Sequence, residues 1–431
     1  MSLPNDLVDY ILSFLQSDPV TLKKCAQSHP TLNKLSERYI YANITLCDDL
    51  DPSKDLRSSE FTRILAKRPD IAKHVRSLTV RVSGNLGLEQ DKTRLSHLDS
   101  AAFLLPALSG LTKLTIQERP EGWFHFSWQI LPETFHQAFL HFIHAQGKKE
   151  VSICDVSFFP LSWLNNCKNV RVTLEQCEET QYDRESTKDM LLSYPEPFEH
   201  LSVRYCSETC LENTTAWLQT HNLRSLEYKL GRGGVEESRT FLPEALVACS
   251  NSLTNLCLDI DHYCTSSVAE PQIRLFKADV HLPVQTSYAI SNNSAIYNQN
   301  VVRFPFTLTS LRHLEWLTVE ANSTPYTITS PSWSCSSPIP AIVELISTAS
   351  PSFKQIFLKF TYYLFLQTRD PEDLWLPFIP LAAACSSLSI TVYLSARVSV
   401  YDSKKYAPEK ISPAHCGGLI PYIEKGVLVM T

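Results

Sequence analysis

The chain has 431 residues, 44% of them hydrophobic and 19% charged, with a formal net charge of −6. That length accommodates one large core or two to three ordinary domains, and the hydrophobic share argues against a disordered scaffold. The acidic balance offers no footprint for nucleic acid, and no window approaches eighteen uninterrupted apolar residues, so no membrane span is expected. Residues 3–46 then read as three short helices punctuated by prolines. Pro4 suits a first helical turn, where its missing N–H costs nothing. Leu7, Ile11 and Leu15 recur every four residues, with Val8 and Leu12 beside them, which predicts one wide apolar stripe. Asp18-Pro19 is a helix start, with an aspartate at the N-cap and proline after it. Leu22, Cys25 and Ala26 supply the next apolar face. Pro30 opens a third helix carrying Leu32, Leu35 and Tyr39. Helices of roughly ten residues are too short to be stable alone, so these three must pack on each other and on something else.

This segment resembles an F-box, the module that docks a protein onto the Skp-type adaptor of a cullin–RING ubiquitin ligase. Leu3-Pro4, Asp6 before Leu7, Ile11-Leu12, Leu15, Asp18, Leu22 and Cys25 carry the likeness. The family often has Leu-Val after the cysteine and a Trp seven positions beyond it; this chain has Gln27, Ser28 and Leu32 there. The resemblance implies an adaptor-binding set of Leu3, Pro4, Leu7, Ile11, Leu12, Leu15, Leu22, Cys25 and Leu32. The alternative is a repeat-type interaction scaffold that joins no ubiquitin ligase, and the missing Trp at Leu32 is its best support.

Behind the helices comes an irregular repeat of helix, short polar turn and Leu/Val-rich strand. Phe61 to Arg68 leads to a strand at 75–82, Phe103 to Leu108 to one at 111–116, and Phe135 to Ala145 to one at 151–156. Further strands are expected at 170–174, 201–205, 226–230, 256–260, 317–319, 356–360, 388–394 and 427–429. In nearly all of them apolar and polar residues alternate, the period-two mark of a strand with one buried face. Intervals run from roughly 20 to 40 residues, with one of about 60, near the range of leucine-rich repeats but without their strict asparagine. A helix between consecutive strands implies parallel pairing. The expected fold is therefore α/β: a three-helix module (1–46), then an irregular leucine-rich-repeat-like solenoid (47–431) with parallel strands and outer helices. Two stretches, about 262–306 and 322–340, read as long loops, the second Ser/Thr/Pro-rich and holding Trp333. With the N-terminal segment, the whole resembles fungal, especially mushroom-type, F-box proteins with degenerate leucine-rich tails, to which Ile71-Ala-Lys-His-Val75-Arg-Ser-Leu78 also conforms.

Thirteen cysteines, an odd number scattered over a long chain, read as reduced buried thiols. Cys167-Lys-Asn-Val170, Cys249-Ser-Asn-Ser-Leu253 and Cys385-Ser-Ser-Leu388 each place a thiol where a helix turns into a strand, and Ala349-Ser-Pro-Ser-Phe353 plays the same part without one. The N-terminal residues lack a basic stretch, apolar run and cleavage site, so a cytosolic or nuclear location is expected. The Asn-x-Ser/Thr matches at Asn43, Asn213, Asn292 and Asn322 are then chance.

Catalytic signatures are sparse. There is no GxxxxGK[ST] and no GxSxG. Gly231-Arg-Gly-Gly234 reads as a surface turn. Cys206 and Cys210, with Cys177 and His200 elsewhere, fall short of two convincing zinc-ligand pairs. His136, His141 and His144 share a helix whose Phe139, Leu140 and Ile143 look like core, and Asp259 and Asp261 share one strand face. No cofactor, metal or covalent step is expected. The expected function is substrate receptor in the ligase: the F-box binds the adaptor and the strand face holds a protein substrate, raising its effective concentration near the ubiquitin-conjugating enzyme. Alternation points Arg81, Arg171, Arg204, Glu227, Lys229, Asp259, Lys359 and Tyr393 outward from that face.

Overall fold

A computed structural model describes residues 4–16, 18–47, 56–82, 92–118, 126–165, 167, 169–178, 180–181, 198–229, 238–259, 307–322, 339–365, 378–401 and 417–430. Leu3, residues 231–234, Asp261, Trp333 and nearly all of the two expected loops lie outside the described residues. The chain divides into two compact units, Met1–Leu258 with Ser310–Leu317, and Asp259–Thr309 with Thr318–Thr431.

The first unit begins with α1 (Asn5–Phe14), α2 (Pro19–Ser28) and α3 (Pro30–Ile40). Their boundaries follow from the punctuation. The Asp18 carboxylate accepts the Thr21 N–H at 3.0 Å, and His29 Nδ1 accepts the Thr31 N–H at 3.2 Å, each with a proline opening the helix behind it. The Thr21 hydroxyl and amide hold the Asp18 carboxyl below its usual range. Both α1 and α2 pack on α3 around Leu12 and Leu22, which are 2% and 1% exposed. The Tyr39 hydroxyl donates to Asp9 Oδ1 at 3.1 Å, and Arg38 forms an ion pair with Asp9.

The sheet starts immediately. Strand β1 (Asn43–Cys47) pairs in parallel with β2 (Leu56–Arg57) on one side and β3 (Ser77–Val82) on the other. Sequence reasoning had missed β1, whose residues sit at the end of the helical module. After β2 the unit continues through α4 (Ser58–Lys67), β3, α5 (Lys92–Ala107), β4 (Lys113–Glu118), β5 (Phe126–Ser127), α6 (Glu133–His144) and β6 (Lys149–Cys154). Next come β7 (Val156–Ser157), β8 (Phe159–Pro160), β9 (Val170–Glu175), β10 (Thr180–Gln181), β11 (His200–Arg204), α7 (Glu208–Leu218), β12 (Ser225–Lys229), α8 (Ser238–Ala248) and β13 (Asn255–Asp259). The strand order is β2-β1-β3-β4-β6-β9-β11-β12-β13, and β1 through β12 pair in parallel. The short β5 pairs with β7, and β8 with β10.

Register explains the core. Leu78, Leu114, Val151, Val172, Leu201 and Leu226 form one inward row, and Val80, Ile116, Ile153, Leu174, Val203 and Tyr228 a second. All twelve are buried, each aliphatic side chain contributing about 1.5–3 kcal/mol over full exposure. Consecutive helices pack against one another, α4 on α5, α5 on α6 and α7 on α8, which keeps them on the buried side of the strands. Strands β3, β4 and β13 enter by the same device: the amides of Arg76 and Ser77 share the Ala42 carbonyl, those of Thr112 and Lys113 share that of Arg76, and those of Thr254 and Asn255 share that of Arg224. The repeat read from hydrophobic spacing is thus a repeat of backbone geometry.

The second unit holds most of β14 (Trp316–Asn322), then α9 (Ile339–Ser347), β15 (Gln355–Phe365), α10 (Phe378–Ser387), β16 (Thr391–Tyr401), α11 (Ile420–Glu424) and β17 (Leu428–Met430). Strand β15 pairs in parallel with β16, and β16 with β17. Phe357 and Tyr393 are register partners whose rings stack with centroids 4.5 Å apart. Each unit is α/β with parallel strands, as the helix–strand alternation predicted.

Candidate docking and recognition surfaces

Helix α1 is apolar over somewhat more than half its circumference, with Asn5, Asp6, Asp9 and Ser13 on the remainder. Its inner side presents the buried Leu12 and the half-buried Val8 and Leu15. Its outer side presents Leu7, Tyr10, Ile11 and Phe14, at positions i, i+3, i+4 and i+7, which are 43%, 62%, 47% and 66% exposed. The Tyr10 and Phe14 rings meet edge to face at 4.8 Å, and Val20 at the start of α2 is also exposed. A short helix apolar on both sides is built to be covered on both sides.

Among the adaptor-binding residues taken from the resemblance, Pro4, Leu7 and Ile11 are exposed, while Leu15, Cys25 and Leu32 are half-buried. Leu12 and Leu22 point into the module's own core, so they hold the helices together and offer no surface. Tyr10, Phe14 and Val20 were missed. The signal was present, since Tyr10 and Phe14 complete the stripe begun by Leu7 and Ile11. A single-stripe reading assigned those two to the same face as Leu15.

One arginine ties the helical module to the first repeat. The Arg68 guanidinium donates to Glu37 Oε1 and Oε2 at 3.2 and 2.9 Å, and to Asp70 Oδ1 and Oδ2 at 2.9 and 2.8 Å. These bonds raise the Arg68 pKa and hold the Asp70 carboxyl below its usual range. Arg68 therefore joins α3 to the turn at the end of α4.

The outward strand face is polar and largely self-paired. In register across β1 to β12 run Thr45, Thr79, Thr115, Ser152, Thr173, Ser202 and Glu227. Flanking rows carry charge. Lys113 meets Glu150 at 2.5 Å, Arg171 meets Glu199 at 3.3 Å, and Arg204 reaches Glu227 at 2.8 Å and Glu175 at 3.9 Å. Arg204 Nε also donates to Ser202 Oγ at 2.9 Å, which buries that serine although it lies on the outer row. In the second unit Lys359 meets Glu320 at 2.7 Å.

Of the residues predicted to face outward, Arg171 and Lys359 are exposed, and Arg81, Arg204, Glu227, Lys229 and Tyr393 are half-exposed. Asp259 departs from the prediction. It is 8% exposed because alternation stops at the end of β13, where Leu258 and Asp259 are both buried.

His200 lies on this face, with Nδ1 2.9 Å from Ser225 Oγ and Nε2 3.8 Å from Glu227 Oε2. Burial pushes its pKa down, so the ring is neutral at pH 7. Glu227 gives its shorter contact to Arg204, which leaves it beyond hydrogen-bond range of the imidazole.

The three histidines of α6 do not converge. His136 stacks on Trp128 with centroids 5.8 Å apart, while His144 and His141 are exposed. Phe139 and Ile143 are buried as predicted, and Leu140 is half-buried. Cys167, Cys249 and Cys385 are buried at their helix-to-strand turns, and burial pushes each thiol up to about 12. Among the described residues no group of three or more His, Cys, Asp or Glu side chains is arranged to hold a metal ion, and no helix is long and apolar enough to cross a membrane. No protein-family model matches the chain, and a search of curated proteins finds no match.

Proposed function

We propose that the chain is a two-ended adaptor: a substrate receptor that docks through α1–α3 onto the Skp-type subunit of a cullin–RING ubiquitin ligase and holds a protein substrate on its strand face. The carrying observation is the second apolar stripe of α1, Leu7, Tyr10, Ile11 and Phe14, left uncovered while Leu12 and Leu22 complete the module's own core. These side chains start about half exposed, so covering them contributes on the order of 1 kcal/mol each, enough together for a specific contact. Position supports the reading as well. Arg68 ties α3 to the turn after α4, and the Ala42 carbonyl just beyond α3 accepts the Arg76 and Ser77 amides at the start of β3, so a partner on α1 is held close to the strands of the same unit. In this reading the repeats behind it form a leucine-rich-repeat-like solenoid, and the chain contributes proximity without a covalent step.

The strand face suits a folded or extended protein partner. Its charges alternate in sign and pair across strands, so it carries no single-sign field for a phosphate cluster or an acidic tail.

Size-exclusion chromatography of the full chain mixed with purified adaptor and cullin tests the assembly. Co-elution of all three is expected. Elution of the chain apart from the adaptor at micromolar concentrations contradicts the ligase reading and leaves the interaction scaffold.

A further inference from the structure

Three successive strands leave the sheet by one turn. Cys154-Asp155-Val156, Glu175-Gln176-Cys177 and Arg204-Tyr205-Cys206 each place a left-handed residue in the middle, with φ of 58°, 53° and 56°. The same hydrogen bonds link them: Asp155 N–H to the Glu175 carbonyl at 2.9 Å, Gln176 N–H to that of Arg204 at 2.8 Å, and Tyr205 N–H to that of Lys229 at 3.0 Å. Beyond the turn, Glu178 N–H reaches the Val156 carbonyl at 3.3 Å and Ser207 N–H that of Cys177 at 3.0 Å. Strand register therefore continues past the strand ends and stacks Val156, Cys177 and Cys206 in one column.

Neighbouring parallel backbones lie about 4.8 Å apart, inside the Cα separation of about 4.4–6.8 Å that a disulfide spans. Cys177 is buried, Cys206 is part-exposed, and their side chains are hydrogen-bonded to each other. A third thiol, Cys210, comes from the first turn of α7 and also contacts Cys206. None of the three is in a disulfide. Burial opposes ionisation of Cys206, but the hydrogen bonds from Cys177 and Cys210 outweigh it and hold this thiol below its usual range. The same contact, with burial, pushes Cys177 up. Cys206, the part-exposed thiol of the two, is the one a peroxide can reach, and the buried Cys177 beside it is placed as its resolving partner.

We propose that Cys177 and Cys206 are a redox pair which hydrogen peroxide converts into a disulfide, stapling the exit turns of β9 and β11. The Cys206 thiolate attacks a peroxide oxygen; an S–O bond forms, the O–O bond breaks, and hydroxide leaves to become water on protonation. Cys177 Sγ then attacks the sulfenic sulfur of Cys206 as its own proton is lost. The S–S bond forms, the S–O bond breaks, and a second water departs. Two thiols and one peroxide become one disulfide and two waters, with two electrons passing to the peroxide. Cys210 stays reduced, its backbone held in the helix start by the Ser207 hydroxyl, which accepts the Cys210 N–H at 3.3 Å.

Treating the full chain with hydrogen peroxide, blocking free thiols and mapping non-reduced peptides tests this without any variant. A linked peptide joining Cys177 to Cys206, reversed by dithiothreitol, is expected. Cys177→Ser should instead leave Cys206 as a sulfenic acid trapped by a dimedone probe, and Cys249→Ser should leave the crosslink intact. A bond joining Cys206 to Cys210, or Cys206 recovered unmodified while other cysteines oxidise, overturns the proposal.

Discussion

Asn165 shows how much one buried side chain decides. Its Oδ1 accepts the Trp217 indole N–H at 3.0 Å in a site where Trp217 is fully buried. Asn165→Ala leaves that donor without a partner and should destabilise the chain by about 1–3 kcal/mol in urea unfolding; an unchanged midpoint would show the bond to be dispensable. The thiols give a pH prediction. Burial pushes Cys154, Cys167, Cys249 and Cys385 up to about 12, while an unfolded thiol ionises near 8.5. Between those values the unfolded chain releases protons that the folded chain keeps, so stability falls as pH rises from about 9 towards 12. Each thiol contributes up to about 1.4 kcal/mol per pH unit to that slope. Comparing unfolding at pH 7 and pH 10 should show the loss, and Cys385→Ala should make it shallower. The placement of Cys167, Cys249 and Cys385 was legible from their turn signature. The meeting of Cys177 with Cys206 was not, because it depends on register between strands separated by a long stretch of chain.

Strands were legible for a plain reason: one face of each is buried, so apolar residues alternate, and ten of the eleven strand segments expected from β3 onward begin within two residues of their sequence position. The exception is β16, expected from Leu388 and found from Thr391, because Ser389 takes a left-handed turn, φ 57°, before the strand. Two-residue strands such as β5 and β8 carry no period and could not be read. Close packing makes a further prediction. A Cβ on Gly110 would lie 2.5 Å from the Lys73 carbonyl oxygen and 2.9 Å from that of Val75, at the turn where Arg76 Nη1 also donates to the Gly110 carbonyl. Backbone cannot yield as a side-chain tip can, so Gly110→Ala should cost about 1–3 kcal/mol by chemical denaturation, and a neutral result would mean the turn opens freely. Helix α1 carries the opposite lesson. Its periodicity was read as one stripe, but Tyr10 and Phe14 make a second, and a pattern with two stripes does not say which one faces inward.

For the molecule, the account joins an uncovered helix to a polar, ion-paired strand face. Arg68 is the joint: Arg68→Ala should leave the sheet core intact while speeding amide hydrogen exchange in α1–α3, an effect that high salt should mimic in the unmodified chain. Equal exchange in both proteins would show that the helices need no such tie. The α/β class and helix order were open to reading from the sequence, since both rest on local pattern. The surfaces were less so, because exposure depends on which neighbours arrive from far along the chain, as Asp259 and Leu12 show.

The most direct test of the docking claim is a titration of purified Skp-type adaptor against the full chain and against the Leu7→Ser, Ile11→Ser, Phe14→Ser variant. These three side chains are exposed, so the variant should keep the helical content and melting temperature of the parent. The account predicts micromolar or tighter binding by the parent and at least a hundredfold loss, about 2.7 kcal/mol or more, in the folded variant. Equal binding by both proteins, or none by the parent, would contradict it.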